Sequence, residues 1–304
     1  PISFDAIESL QIETAPMDTE FNGFTGGTIN AVTKSGTNEF HGSAYYFFTN
    51  DNFSGDTIGG TRQGDIVRSQ DFEEETYGFT IGGPILKDKL FFFAAYDFYE
   101  EAAPINTLPG DFGISDADLQ SITSIASSVY GLQTGDFSKS PVEDEKILAS
   151  IDWNITNQHR AKFTYIKTEG AAIREQNGNN FVESSRVAYN SSWYNRSETI
   201  EAFIGHVFSD WTPNFSTEFK LAKTTQATGQ DSLLGAETPL IAVRTSNGQY
   251  INFGPDRFRH GNELDQEFMQ YKAKAEYLYG NHTFKFGFER EEVDVDNLFA
   301  QNSE

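Results

Sequence analysis

Along most of this chain apolar and polar residues alternate with a period of two, the repeat of a β-strand with one apolar and one polar face. Phe40, Gly42, Ala44, Tyr46 and Phe48 share one face, opposite His41, Ser43 and Thr49. Tyr77, Phe79 and Ile81 alternate with Gly78, Thr80 and Gly82, and Leu90, Phe92, Ala94, Tyr96 and Phe98 continue the pattern, although Phe91 and Phe93 make their opposite face apolar too. Further segments start near Lys146, Arg160, Trp193, Phe215, Met269 and Thr283. The pattern thus predicts nine strands, most of about ten residues.

What separates the strands is equally informative. Tight connections at 84–89, 155–158, 209–213 and 280–281 alternate without exception with long polar ones at 50–75, 101–145, 169–192 and 225–264. A compact soluble domain rarely holds several such long loops, whereas a transmembrane β-barrel puts short turns on the periplasmic side and long loops outside. A tilted membrane strand needs about 9–11 residues, which agrees with the predicted lengths. The expected fold is therefore all-β, a transmembrane antiparallel barrel, with Tyr46, Phe48, Trp153, Trp193, Tyr277 and Tyr279 in its interfacial aromatic girdles. A soluble β-sandwich with one buried face is the alternative that shares the alternation.

One long loop carries helical spacing. Ser115-Asp116-Ala117-Asp118 forms a cap-like start, and Leu119, Ile122, Ile125, Ala126 and Val129 follow until Gly131. Such a helix either contacts a substrate at the outer face or packs the loop together.

Composition sharpens the barrel expectation. Aromatic residues make up 14% of the chain, with 28 Phe and 13 Tyr, in a sequence only 38% hydrophobic. Lipid would replace the aliphatic core that is missing. The balance of 45 acidic against 22 basic residues leaves nothing to neutralise a run of phosphates, so no nucleic-acid partner is expected. No apolar run approaches the roughly 20 residues of a membrane helix, and there is no cysteine for a disulfide, a thiolate metal site or a nucleophile.

Catalytic signatures are absent, so no enzyme, cofactor or metal is expected. His41, His159, His206, His260 and His282 form no zinc-binding pair, although His159 and His282 each follow a tight turn. The glycines Gly23, Gly26 and Gly27 lack the Lys-Ser/Thr of a phosphate-binding loop. Acidic runs such as 73–75, 143–145 and 289–296 read as solvated outer strand ends and loops. The loop aromatics Phe181, Tyr189, Trp193 and Tyr194 are candidate ligand contacts, able to stack on sugars or line a peptide groove.

The run Phe24-Thr25-Gly26-Gly27-Thr28-Ile29-Asn30-Ala31-Val32-Thr33-Lys34-Ser35-Gly36-Thr37-Asn38-Glu39-Phe40-His41-Gly42-Ser43 resembles the plug-to-barrel junction of TonB-dependent outer-membrane receptors, in particular the Oar-like branch. Gly82 to Phe92, Ile151 to Asn154 with His159-Arg160, and Gly280 to Gly287 are similar to that family's periplasmic hairpins. The resemblance implies that 1–36 end a plug domain and that 37–304 begin a barrel of about 22 strands with long extracellular loops. Nine strands do not close such a barrel, so an internal piece of a longer chain is expected. Gly26, Gly27, Lys34, Gly36 and Asn38 would be the junction residues, the glycines allowing close backbone approach or positive φ.

By the same resemblance the protein would sit in the bacterial outer membrane among its lipids. It would bind cargo at its outer loops and move it through a plugged barrel under force from TonB, a partner engaged through an upstream region. Two alternatives stand beside this: an Oar-like surface scaffold for partner proteins in secretion or adhesion, and a soluble secreted glycan-binding β-protein.

Overall fold

A computed structural model describes residues 2–14, 27–53, 57–61, 64–67, 72–103, 108–137, 140–175 and 187–300; Gly26 and Phe181 lie outside the described residues. In chain order the elements are β1 (Ile7–Glu13), β2 (Thr28–Thr33), β3 (His41–Asn50), β4 (Thr57–Thr61), β5 (Gly64–Val67), β6 (Glu73–Leu86), β7 (Leu90–Ala103), α1 (Asp116–Tyr130), β8 (Ser140–Asn154), β9 (His159–Arg174), β10 (Val187–Ala188), β11 (Tyr194–Thr212), β12 (Phe215–Ser232), β13 (Ile241–Arg244), β14 (Tyr250–Phe253), β15 (Gly261–Tyr279) and β16 (His282–Leu298).

Nine of these strands form one sheet in the order β16-β15-β12-β11-β9-β8-β7-β6-β3. Every neighbouring pair is antiparallel, and the nine are the predicted segments. Chain neighbours are thus sheet neighbours throughout, the up-and-down topology of a barrel wall. The sheet is open, with β3 and β16 at its edges.

Two adjacent register rows show how the sequence divides the faces. Trp153, Ala161, Val207, Phe219, Ala273 and Phe288 lie side by side across six strands. One residue along, Asp152, Lys162, His206, Lys220, Lys272 and Glu289 form the row on the opposite face. On the first face Phe79, Ile81, Trp153, Phe163, Phe219 and Phe288 are exposed, from 45% for Ile81 to 64% for Phe288. A soluble sandwich would bury that face, so the sandwich alternative fails; an apolar band of this extent belongs against lipid.

Strand length departs from expectation. The strands run from 10 residues in β3 to 19 in β11 and β15, well beyond about ten. A strand of 19 residues is about 60 Å long at ~3.3 Å per residue, more than a tilted crossing of a ~30 Å hydrocarbon layer uses. The excess lies beyond the lipid band, where both faces turn polar and the alternation that reveals a membrane strand disappears. The outer rim is marked by tyrosines hydrogen-bonded to carboxylates on the neighbouring strand: Tyr165 donates to Glu201 at 2.8 Å, Tyr46 to Glu75 at 2.9 Å and Tyr96 to Glu145 at 3.3 Å. Not all of the acidic run 289–296 is at that rim, because Glu289 and Glu291 accept from Gln270 at 2.8 and 3.0 Å on the inner face.

Beyond the rim, three of the long connections fold together. α1 packs against a small sheet in the order β10-β14-β13, and Ile114, Ile122, Ala126, Val187, Tyr189, Ile251 and Phe253 form their shared core. The helix has the predicted ends: the Ser115 hydroxyl accepts the Asp118 N–H at 3.2 Å, and Gly131 at φ 66° closes the C-terminus by donating to Ser127 O at 3.1 Å.

Candidate functional site

Two regions carry the residues that could act: the segment joining β2 to β3, and the outer loop module. The first begins with β1 and β2, which among the described residues pair only with each other. Thirty residues cannot bury a core alone, and this unit borrows one from the inner face of the large sheet. Ala6 is wholly buried in a cluster with Phe93, Ala95 and Leu148, flanked by Ile2 and Ile166. Here is the physical reason for the apolar second face of β7: Phe93 covers the N-terminal segment.

From Lys34 onward polar contacts tie the chain to that wall. The Lys34 N–H donates to Ala6 O at 2.8 Å, while its ammonium pairs with Asp5 at 3.3 Å. Asp5 also accepts from the Ser43 hydroxyl of β3, and Ser43 contacts Thr80 of β6 at 2.8 Å. The Asp5 carboxyl is held below the ordinary carboxylate range, first by the Ser43 hydroxyl and then by Lys34, against an opposing effect of burial. Ser35 accepts from the Lys162 ammonium at 2.9 Å, and Lys162 lies 3.7 Å from Asp152. The segment therefore reaches from β3 to β9 along the inner wall.

Gly27, Gly36 and Asn38 have distinct roles there. A Cβ on Gly27 would stand 2.9 Å from Glu13 O, so the glycine serves close strand approach and not a positive φ. Gly36 lies against the carbonyls of Phe92 and Gly83, the latter 2.8 Å from where a Cβ would sit. Asn38 reaches the β6–β7 turn, donating to the Asp88 carboxylate at 2.6 Å and accepting its N–H at 2.8 Å. Gly36 and Asn38 thus lie against the wall at β6, β7 and their turn, while Lys34 is held by Ala6 and Asp5 of the N-terminal segment. Sequence reasoning missed Asp5, Ser43, Asp88 and Lys162, since nothing in the order of residues shows that they converge.

The loop aromatics are placed differently from their expected role. Trp193 is 2% exposed and donates its indole N–H to Ala188 O at 3.1 Å; Tyr189 is 3% exposed and donates to Leu119 O at 3.2 Å. Both side chains fill the interior of the module and present no face to a ligand, and Trp193 is likewise no part of an interfacial girdle. Burial pushes the Tyr189 hydroxyl pKa up. Tyr194 is half-buried at the start of β11. Alternation could not distinguish these residues from surface aromatics, because their burial depends on contacts between separate loops.

Those contacts are specific. The Asn190 N–H donates to Asp136 O at 2.9 Å, and the Asn190 side-chain oxygen accepts the Asp136 N–H at 3.0 Å. Asn247 donates to Gly113 O at 2.7 Å, and the Ser246 hydroxyl donates to the Asp118 carboxylate at 2.9 Å. What α1 leaves outward includes large hydrophobic side chains: Ile125, Val129 and Tyr130 are 53%, 67% and 69% exposed. Among the described residues no group of three His, Cys, Asp or Glu is placed to hold a metal ion.

Residues 32–111 match the family model described as the outer membrane beta barrel domain. Over 122 residues the chain is 38% identical to the TonB-dependent transporter Oar of Myxococcus xanthus, a stretch covering 36% of this chain and 11% of that protein. It is 27% identical over 156 residues to the probable TonB-dependent siderophore receptor PirA of Acinetobacter baumannii, covering 51% of this chain and 16% of the relative. In fold it is similar to the outer membrane transporter YddB from Escherichia coli, with a TM-score of 0.61 at 12% identity over 96% of this chain and 35% of that one. The siderophore receptor PirA superposes with a TM-score of 0.60 at 15% identity over 95% of this chain and 35% of its own. The matched stretch, the sequence relatives and the lipid-facing sheet agree: this chain forms outer-membrane β-barrel wall, and part of its sequence is similar to that of TonB-dependent transporters.

Proposed function

We propose that the protein is a TonB-dependent transporter whose loop module recognises cargo and whose junction carries the motion that lets cargo pass. In this reading residues up to 36 end a plug, and the wall starts at 37. The observation that carries it is the anchoring of 34–38 on the inner wall through Ser35–Lys162 and Asn38–Asp88, while β1 and β2, among the described residues, pair only with each other. Force applied upstream would then peel away the two-stranded unit and stop at a clasped point. The chain spans 11% and 16% of the curated relatives, so cargo and TonB engagement belong to the whole protein.

This chain has no cysteine of its own, so with any cysteine elsewhere in the full-length protein replaced by Ser a single introduced thiol is a clean reporter. Full-length protein carrying Ala6→Cys, a position wholly buried against Phe93 until the two-stranded unit leaves the wall, should react faster with a small maleimide in energised cells than in cells lacking TonB. Equal labelling with and without TonB would remove the pulling mechanism.

A second reading, a surface scaffold for partner proteins, is favoured by the exposed Ile125, Val129 and Tyr130 on a folded outer module. Under that reading TonB would leave the Ala6→Cys labelling unchanged, while Val129→Asp would abolish partner capture.

A further inference from the structure

The lipid-facing side of the sheet is not uniformly covered. Across β8 to β16 a groove of about 630 Å³ opens where Ala161, Gly205 and Ala273 carry little or no side chain between Trp153, Phe163 and Phe219. Its centre is Gly205, whose register partners are Phe163 on β9 and Leu221 on β12. No backbone demand explains that glycine. Its φ is not positive, and an added Cβ would meet nothing nearer than Leu221 O at 4.0 Å. A larger residue would fit the chain and fill the groove.

Depth identifies the leaflet. Toward the tight turn, Ser209 of β11 pairs with His159 of β9, whose imidazole lies against Trp211 at 4.9 Å between ring centroids. The Trp211 indole in turn donates to Thr217 at 2.8 Å, giving an aromatic and polar patch of the kind found at a membrane interface. Gly205 stands four residues further along the strand, about 13 Å at ~3.3 Å per residue, which falls inside the ~15 Å of one hydrocarbon leaflet. Tight turns mark the periplasmic side of such barrels, so the groove lies in the inner leaflet.

We propose that this groove is a seat for one phospholipid of the inner leaflet, an acyl chain lying over Gly205 with its headgroup at the level of His159 and Trp211. The occupant follows from continuity with the lipid-facing surface already described: the groove is apolar, opens sideways into hydrocarbon and ends at a polar patch. An acyl chain there recovers the packing that the missing side chains forgo.

The three tryptophans permit a direct test. Trp153 borders the groove and Trp211 marks its headgroup end, while Trp193 is buried in the loop module as an internal control. Full-length protein in detergent, its tryptophans outside this chain replaced by Phe, is titrated with phosphatidylethanolamine carrying dibrominated acyl chains, which quench nearby indoles. Saturable quenching at about one lipid per protein is expected, with apparent affinity at least about tenfold weaker in Gly205→Leu. Ala273→Leu gives a second version of the filled groove, and Ala44→Leu, on β3 at the far edge, should change nothing. Quenching that rises without saturation, or that is unchanged by both groove substitutions, overturns the proposal. Isolation of the native protein with a polypeptide or a lipoprotein acyl group held in the groove also overturns it.

Discussion

Asn38 holds Asp88 from both sides, its amide nitrogen donating to the carboxylate at 2.6 Å and its amide oxygen accepting the backbone N–H at 2.8 Å. Asp88 is the one described non-glycine residue with positive φ, at 63°, a conformation that aspartate tolerates better than most residues. A turn 50 positions away in sequence is thereby fixed to the start of the wall.

Replacing Asn38 with Ala removes both bonds at an exposed site. The loss is expected to be about 1–2 kcal/mol, read as faster amide exchange over 34–40 while β6 and β7 keep their protection. Unchanged exchange in that stretch would mean that the clasp does not hold it.

Asp5 gives the junction a pH dependence. Its carboxyl titrates below the ordinary aspartate value of 3.8, so the contribution is complete above that value and is lost as pH falls through the depressed pKa of the folded state. Attachment of residues 2–13 to the inner wall should be constant from neutral pH down to about 5 and should weaken below 3.8. Asp5→Asn should weaken it at neutral pH and remove the pH dependence, the two proteins converging where the wild-type carboxyl is already protonated. Protease sensitivity of the N-terminal segment across this range would decide the matter.

The loop module should be a separately breakable unit. Trp193→Ala opens a cavity at a 2% exposed site and is expected to cost about 3–5 kcal/mol. Tyr189→Phe removes the hydroxyl that donates to Leu119 O and contacts Thr123 Oγ1, about 1–2 kcal/mol. Limited proteolysis should cut the outer loops of the first variant and spare those of the second, with the heat-modifiable gel mobility of the barrel kept in both.

Helix α1 offers a finer test of the same module. Ser115→Ala removes the cap and should raise amide exchange in the first turn by an amount corresponding to about 1 kcal/mol. Asp118, held below its ordinary range first by the Ser115 hydroxyl and then by Ser246, supports the helix start above pH 3.8 and ceases to below its lowered pKa. Protection that stays constant down to pH 2 would contradict that assignment.

Much of this protein is legible without coordinates. The nine strands, the alternation of short and long connections and the helix from Ser115 to Gly131 all follow from local signals, because a strand or helix between two solvents writes its period into consecutive residues. The extra length of β12 and β15 was not legible, since above the lipid band both faces meet water and no period remains. Lys34, Gly36 and Asn38 stood out through a family-like run, yet their partners Asp5, Phe92 and Asp88 are set by how the segment lies on the wall.

Sequence alone therefore determined which faces exist and in what order the wall is laid down, because period and loop length are properties of neighbouring residues. Only the tertiary structure decided what those faces meet. Trp193 and Tyr189 became core instead of ligand contacts because three loops distant in sequence close over them. Phe93 faces the N-terminal segment, and Gly205 opens a groove in the lipid surface, because side chains from several strands enclose each place. Such meetings depend on register across the sheet, a relation that no single stretch of the chain contains.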